Sequence, residues 1–337
     1  MKAVGYSTPG AIDREDALLD LDVPPPAPGP HDLLVRVNAI SVNPADTKIR
    51  AGVHAPEGQI KILGWDAAGV VEAVGADVTL FAVGDAVFYA GDITRPGANA
   101  QLHVVDERIV GHKPRTLDWA SAAAMPLTSL TAWELLFDRL RVPYGEGRAD
   151  GALLVINGAG GVGSILIQLA RQLTGLTVIA TASRPETVAW AADMGAHHVI
   201  DHRKPLDEEL ARIGIPEVDY VASLTASEHY LPLFPKIIAP QGRLALIDDP
   251  DHFDIAKLKR KSITVAWEWM FTRAAYQARD MIAQHEILEE VSALLDRGVL
   301  RSTLTALEGP INAANLKRVH ALLESGRAIG KLALAGF

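Results

Sequence analysis

The spacing of apolar residues changes along this chain, and each change predicts a different architecture. From residue 1 to 122 they come in short β-branched runs, Leu33 to Val37, Gly69 to Val74 and Ala86 to Tyr89, separated by glycines, prolines and aspartates. That pattern predicts a compact, partly open β-barrel. Within it, Pro44 at a helix start and Gly52 past its end predict one short helix. From 126 to 269 continuous apolar runs alternate with stripes at helical spacing. Strands are predicted at 152–156, 176–181, 198–200, 218–223, 242–247 and 262–266. Helices are predicted at 127–139, 163–174, 185–194 and 228–238. Such alternation predicts a doubly wound parallel α/β sheet. From 270 the pattern is mixed. Met281, Ile282, Leu288, Val291, Leu294 and Leu295 form a helical stripe stopped by Gly298. Pro310 to Ser325 forms another, stopped by Gly326, and Lys331 to Leu334 is a closing strand. The expected organisation is a domain at 126–269 inserted into one made of 1–125 and 270–337.

The most informative junction lies inside the inserted segment. Leu153-Leu154-Val155-Ile156 reads as a strand buried on both faces. Ile165, Leu166, Leu169 and Leu173 give the next helix its buried stripe, and Gly175 is expected to close it. Between them, Asn157-Gly158-Ala159-Gly160-Gly161-Val162-Gly163 places Gly158, Gly160 and Gly163 as G-x-G-x-x-G. The first glycine allows a tight turn, the second lets backbone approach a pyrophosphate, and the third lets helix and strand pack closely. The free N–H groups of the helix start then meet the phosphate charge. Gly158, Ala159, Gly160, Gly161, Val162 and Gly163 are therefore the predicted dinucleotide loop. An NAD site usually adds a carboxylate about 20 residues on, at the end of the second strand. Here that place reads Ala182-Ser183-Arg184. A hydroxyl and a guanidinium suit a 2′-phosphate, so NADPH is the expected cofactor. Glu186 lies in the next helix start, where a carboxylate suits the dipole.

Composition narrows the function classes. The 337 residues are 49% apolar, enough for two cores. A net charge of −9 argues against a nucleic-acid partner, which needs a basic patch. With no cysteine, disulfides, thiolate chemistry and cysteine-held zinc are all excluded. The N-terminus lacks the apolar core of a secretory signal. The most apolar long window, about 151–170, carries Asn157 and five glycines, so the loop explains it better than a membrane span. A cytoplasmic protein is expected. The proline-rich run 23–30 reads as a stiff surface connection. The acidic stretch 248–254 lacks the glycine and ligand spacing of a calcium loop and reads as solvated. His197 and His198 point to opposite faces of a strand and cannot chelate together.

Several segments then resemble the medium-chain dehydrogenase/reductase superfamily, specifically its zinc-free quinone oxidoreductase branch. They are Val42-Asn43-Pro44-Ala45-Asp46, the run Gly64-Trp65-Asp66-Ala67-Ala68-Gly69 to Gly75, Val83-Gly84-Asp85, Leu130-Thr131-Ala132-Trp133, the glycine loop, Gly195 to Asp201, and Gly330-Lys331. Trp267-Glu268-Trp269-Met270-Phe271-Thr272-Arg273 is similar to a subgroup labelled zinc-type alcohol dehydrogenase-like. The resemblance implies a Rossmann domain inserted into a GroES-like barrel, and a homodimer. Zinc-using relatives place a cysteine where Asn43 stands and a histidine where Trp65 stands, and Ala45 replaces a hydroxyl relay. Two metal ligands are thus missing, and no metal is expected. What remains is hydride transfer to a quinone or conjugated enone, whose oxygen delocalises the incoming charge. Alternatives are an enoyl-thioester or alkenal reductase and a non-catalytic NADPH-binding sensor.

Site roles follow from the resemblance. Asn43 is the expected hydrogen-bond donor to the acceptor oxygen, or else a helix cap. His54 is either a proton donor beside the carbonyl or a plain loop histidine. Trp65 and Tyr89 are expected to wall the acceptor pocket, or to be core. Trp267, Trp269 and Phe271 alternate on one predicted strand face, as an acceptor wall, a dimer seam or core. Thr131 is expected near the nicotinamide ribose, His202 against the adenine, Leu224 and Ile247 along the cofactor cleft, and Lys331 near the phosphates or free in solvent.

Overall fold

A computed structural model of the chain describes residues 1–144 and 150–337. The chain divides into two compact units, 1–130 with 271–337, and 131–270. No helix among the described residues is long and apolar enough to cross a membrane.

The first unit is organised around the strand Asp32–Ser41. It pairs antiparallel with Ala67–Val74, with Leu102–Asp106 and with the closing strand Lys331–Ala335. The last pairing has decisive consequences. Its register sets Ala333 opposite Ser41, Val42 N donates to Leu332 O at 3.2 Å, and Lys331 therefore arrives beside Val42 and Asn43. The helix Pro44–Gly52 follows at once. Asn43 is its extended cap residue, Pro44 presets the first helical φ, and Asp46 reaches back to accept from Asn43 N at 2.8 Å. The helices Ala283–Asp296 and Ala313–Glu324 end where left-handed Gly298 and Gly326 follow. Both begin two to three residues later than the apolar stripes suggest.

The second unit is a six-stranded parallel sheet. From edge to edge it runs His198–Ile200, Thr177–Thr181, Ala152–Ile156, Val218–Ser223, Ile238–Leu246, Thr264–Trp267. The chain starts in the middle, builds to one edge, and returns to build to the other. Strand order reverses beside Ala152–Ile156, all five residues of which are buried. Leu154, Ile156, Ile179, Val221, Leu244, Leu246 and Phe234 belong to one core cluster.

Three local departures have identifiable causes. The predicted helix 228–238 is two short turns, Ser227–Tyr230 and Phe234–Ile237, because Pro232 and Pro235 lack the N–H a continuous helix needs. The predicted helix 127–139 is α-helical over Pro126–Trp133 and widens to π-helix over Glu134–Arg139. The loop helix, Gly161–Leu173, is stopped by Thr174 in extended backbone rather than by a left-handed Gly175. A helix at Leu206–Arg212 escaped the apolar pattern, although Pro205 and an acidic first turn announce it.

Candidate active site

Two constellations of functional residues stand out, one in each unit. In the second unit the loop after Ala152–Ile156 is built to expose backbone. Asn157 is left-handed at φ 68. Its N–H bonds the Thr181 hydroxyl at 3.0 Å, and Gly158 N bonds Thr181 O at 3.1 Å. These contacts pin the loop to the end of the second strand. A Cβ on Gly163 would lie 2.4 Å from Asn157 O, and one on Gly158 would lie 2.7 Å from the Ala180 Cβ. Both glycines are thus required by close approach. Gly160 caps the helix in extended backbone with no side chain over the helix start, and the first turn carries no acid. Gly160, Gly161 and Val162 are half-buried, while Ala159 is buried. An anion has access to this helix start.

Ser183 and Arg184 follow Thr177–Thr181 and are half-buried. Arg184, not Ser183, is the cap residue of Pro185–Asp193, and Thr187 Oγ1 bonds both its N–H (3.1 Å) and its carbonyl (2.8 Å). The Arg184 guanidinium rests on Glu186 at 3.1 Å. A phosphate there would compete with one exposed carboxylate. His202 lies two residues beyond His198–Ile200, half-buried, with its pKa lowered by burial. Leu224 is buried and Ile247 half-buried at the ends of the next two strands. Thr131 is buried within its helix.

Asp248 is bonded within the fold rather than solvated. Within a stretch read as solvated, its carboxylate accepts from Ser227 N at 2.8 Å and from the Ser227 hydroxyl at 2.5 Å, and Ser227 Oγ lies 2.7 Å from Ser223 Oγ. It latches the turns that follow two neighbouring strands.

In the first unit a buried polar cluster forms where Lys331–Ala335 meets the start of Pro44–Gly52. The Lys331 ammonium donates to Val42 O at 3.1 Å, to Asn43 Oδ1, and to Asp66 Oδ2 at 2.9 Å. Asn43 Nδ2 donates to Asp66 Oδ2 at 2.8 Å and to Trp65 O at 3.2 Å. The other Asp66 oxygen accepts from Leu127 N at 2.8 Å. Asp46 accepts from Asn43 N and, at 3.0 Å, from Gly64 N. Burial drives the Asp46 carboxyl up to about 7, against backbone donation from Asn43 and the pull of Lys331. Burial also raises Asp66, opposed first by Lys331.

This geometry revises four expectations. Asn43 has two amide hydrogens and both are engaged, so it is not a free donor to an acceptor oxygen. Asn43 instead stands at the N-cap of the helix, the alternative reading, with Asp46 closing a capping box from the first turn. Lys331 is neither solvated nor free for a phosphate, because all three ammonium hydrogens have acceptors inside the fold. Trp65 and Tyr89 are 1% and 0% exposed, so they are core rather than pocket wall. Trp65 packs edge-on to Phe271 and donates to Asp92 O. Tyr89 stacks on His103, whose Nδ1 lies 3.1 Å from its hydroxyl. His103 itself went unnoticed in the sequence, where a lone histidine in a strand carries no signal.

Trp267 and Trp269 are about half exposed, whereas Phe271 is buried and begins a different element. They do not share one strand face. Between the tryptophans, Glu268 is buried with Arg139 Nε 2.8 Å from its carboxylate. That ion pair turns the acid inward and both indoles outward. His54 is exposed just past the end of Pro44–Gly52.

The residues at this position do not fit a zinc site. Among the described residues no three histidines, cysteines or carboxylates are placed to hold a metal. At the family's metal position this chain offers an engaged amide, a buried indole and a carboxylate already ion-paired to Lys331.

A parallel sheet with a glycine loop at the middle strand, inserted into a mainly antiparallel unit, defines a dinucleotide-binding oxidoreductase of the two-unit dehydrogenase class. Comparison with known proteins sharpens this. The family model for zinc-binding dehydrogenases matches residues 161–284, and that for the alcohol dehydrogenase GroES-like domain matches 29–115. The chain is 40% identical over 338 residues to a zinc-type alcohol dehydrogenase-like protein of Staphylococcus aureus, covering 99% of each chain. A crystal structure of a Rhizobium etli protein, provisionally described as a zinc-dependent alcohol dehydrogenase, matches with TM-score 0.95 at 56% identity, over 100% of this chain and 98% of that one. Escherichia coli quinone oxidoreductase complexed with NADPH matches with TM-score 0.82 at 26% identity, over 99% and 100%. The chain belongs to the medium-chain dehydrogenase/reductase superfamily, in its quinone oxidoreductase branch.

Proposed function

We propose that this protein is an NADPH-dependent, zinc-independent reductase that delivers hydride to a quinone or conjugated enone. The carrying observation is the end of Thr177–Thr181, where Ser183 and Arg184 stand in place of the ribose-binding acid. The E. coli relative's complex with NADPH supports it. The glycine loop and the start of Gly161–Leu173 hold the pyrophosphate, and Ser183 and Arg184 hold the 2′-phosphate. Bound NADPH supplies the hydride. A quinone or enone needs no metal, because its own conjugation spreads the charge. His54, exposed just past the end of Pro44–Gly52, is the proton donor. A second copy of the chain pairs at the open edge Thr264–Trp267, where Trp267 and Trp269 are exposed.

The test is NADPH oxidation with a naphthoquinone and with an alkenal, products identified. Hydroquinone or saturated carbonyl product tells the two acceptor classes apart. NADPH binding without turnover on either acceptor overturns the proposal. Arg184→Glu should cut kcat/KM for NADPH by about 10- to 100-fold, the worth of one charge-assisted bond, and leave NADH nearly unchanged. An unchanged cofactor ratio removes Arg184 from the site.

A further inference from the structure

The family descriptions speak of zinc, yet the donor set at Asn43, Trp65 and Asp66 cannot hold it. What the same place does contain is a cation belonging to the chain. Three oxygens of different kinds converge on Lys331 Nζ: a backbone carbonyl, an amide oxygen and a carboxylate oxygen. Only a protonated amine satisfies three acceptors at once. All the side chains involved are buried, and each remaining oxygen of Asp66 and Asp46 has its own N–H. Asn43 Oδ1 and Asp66 Oδ2 are the side-chain atoms of the group that meet the ammonium directly. Without it, Asn43 Oδ1 would face empty space and Asp66 would be a buried charge with no counter-ion, which is strongly destabilising.

We propose that Lys331 is a resident cation occupying a true cation-binding site of the first unit. It neutralises Asp66 and fixes the Asn43 amide, the charge-balancing task a bound metal would otherwise perform. A site built in this way has a ligand specificity of its own. Its oxygen ligands select a small cation that donates three hydrogen bonds, so it accepts a primary alkylammonium and refuses a quaternary one. The inference stands on the cluster alone and holds whichever acceptor the enzyme reduces.

The experiment removes the side chain and offers its fragment back. Lys331→Ala should melt roughly 10 °C below the parent, as expected for a broken buried ion pair. Propylammonium, the missing part of the lysine, should restore most of that fall. Tetramethylammonium, with the same charge and no N–H, should restore none. Neither salt should move the parent protein. Reductase activity, followed in parallel, should fall and return with the melting point. If Lys331→Ala does not fold, Lys331→Met with and without Asp66→Asn supplies a second route. Asp66→Asn should recover much of the loss in the Lys331→Met background while destabilising the parent. Equal effects of the two ammonium salts, melting unchanged by Lys331→Ala, or simple additivity of Lys331→Met and Asp66→Asn would each overturn the assignment.

Discussion

At the scale of single residues, burial decides chemistry more than residue type does. His103 and His320 are both ordinary histidines in the sequence, and both are buried in the fold. Burial pushes His103 down to about 4 from 6.5. Burial, then the nearby Arg50, pushes His320 down to about 3. A histidine with a depressed folded pKa stabilises the fold fully above its unfolded pKa and loses that contribution as pH falls through the folded value. Both therefore make the protein acid-labile below about pH 6.5. Asp46 has the opposite sign. Its pKa is raised, so its contribution is complete below 3.8 and lost as pH rises through about 7. His320 is the sharper test, because neither ring nitrogen has a hydrogen-bond partner among the described residues. His320→Leu should stabilise by about 1 kcal/mol at neutral pH and shift acid unfolding to lower pH. An acid-unfolding midpoint equal to the parent's would refute this reading. In the sequence nothing marked either ring, because no local spacing reports what packs over a side chain.

At the scale of elements, local rules predict well where one element suffices. The strand Ala152–Ile156, the glycine loop and its helix follow from a short apolar run, three glycines and a helical stripe. Those signals are local, and local physics enforces them. Gly163→Ala tests the tightest point. The added Cβ would meet backbone oxygens of Asn157 and Gly158, and backbone cannot rotate away. The variant should bind NADPH at least about 10-fold more weakly by fluorescence titration, since helix and loop must separate. Undiminished binding would show the loop is not the pyrophosphate site. Where a breaker interrupts the stripe or a distant partner intervenes, the apolar pattern misleads. Pro232 and Pro235 cut an apparently continuous stripe in two. Asp248 reads as solvated in the sequence because its partner Ser227 lies in another turn, 21 residues away.

At the scale of the whole molecule, two units arise from one chain that leaves a β-rich body, builds a parallel sheet and returns. The return matters most in the first unit, where Lys331–Ala335 joins a sheet begun near residue 32. The exposed edge Thr264–Trp267 belongs to the second unit, and Trp267 is 49% exposed on it. Trp267→Glu should convert the proposed dimer into a species of about 36.1 kDa by light scattering, with the folded CD spectrum retained. A parent protein that is already monomeric at that mass would end the dimer proposal.

The sequence by itself determined the parallel sheet, the glycine loop, the cation at the end of the second strand and the helix stops at Gly298 and Gly326. Each rests on periodicity, φ preference or charge within one or two neighbouring elements. Only the tertiary structure decided the fate of Asn43 and Lys331. They are 288 residues apart, and their meeting depends on the register of the closing strand, which no spacing along the chain encodes. The same holds for Trp65 and Tyr89, whose aromatic character suits core and pocket equally until packing chooses. Residue type sets what a side chain is able to bond, and the fold alone sets what lies within bonding distance.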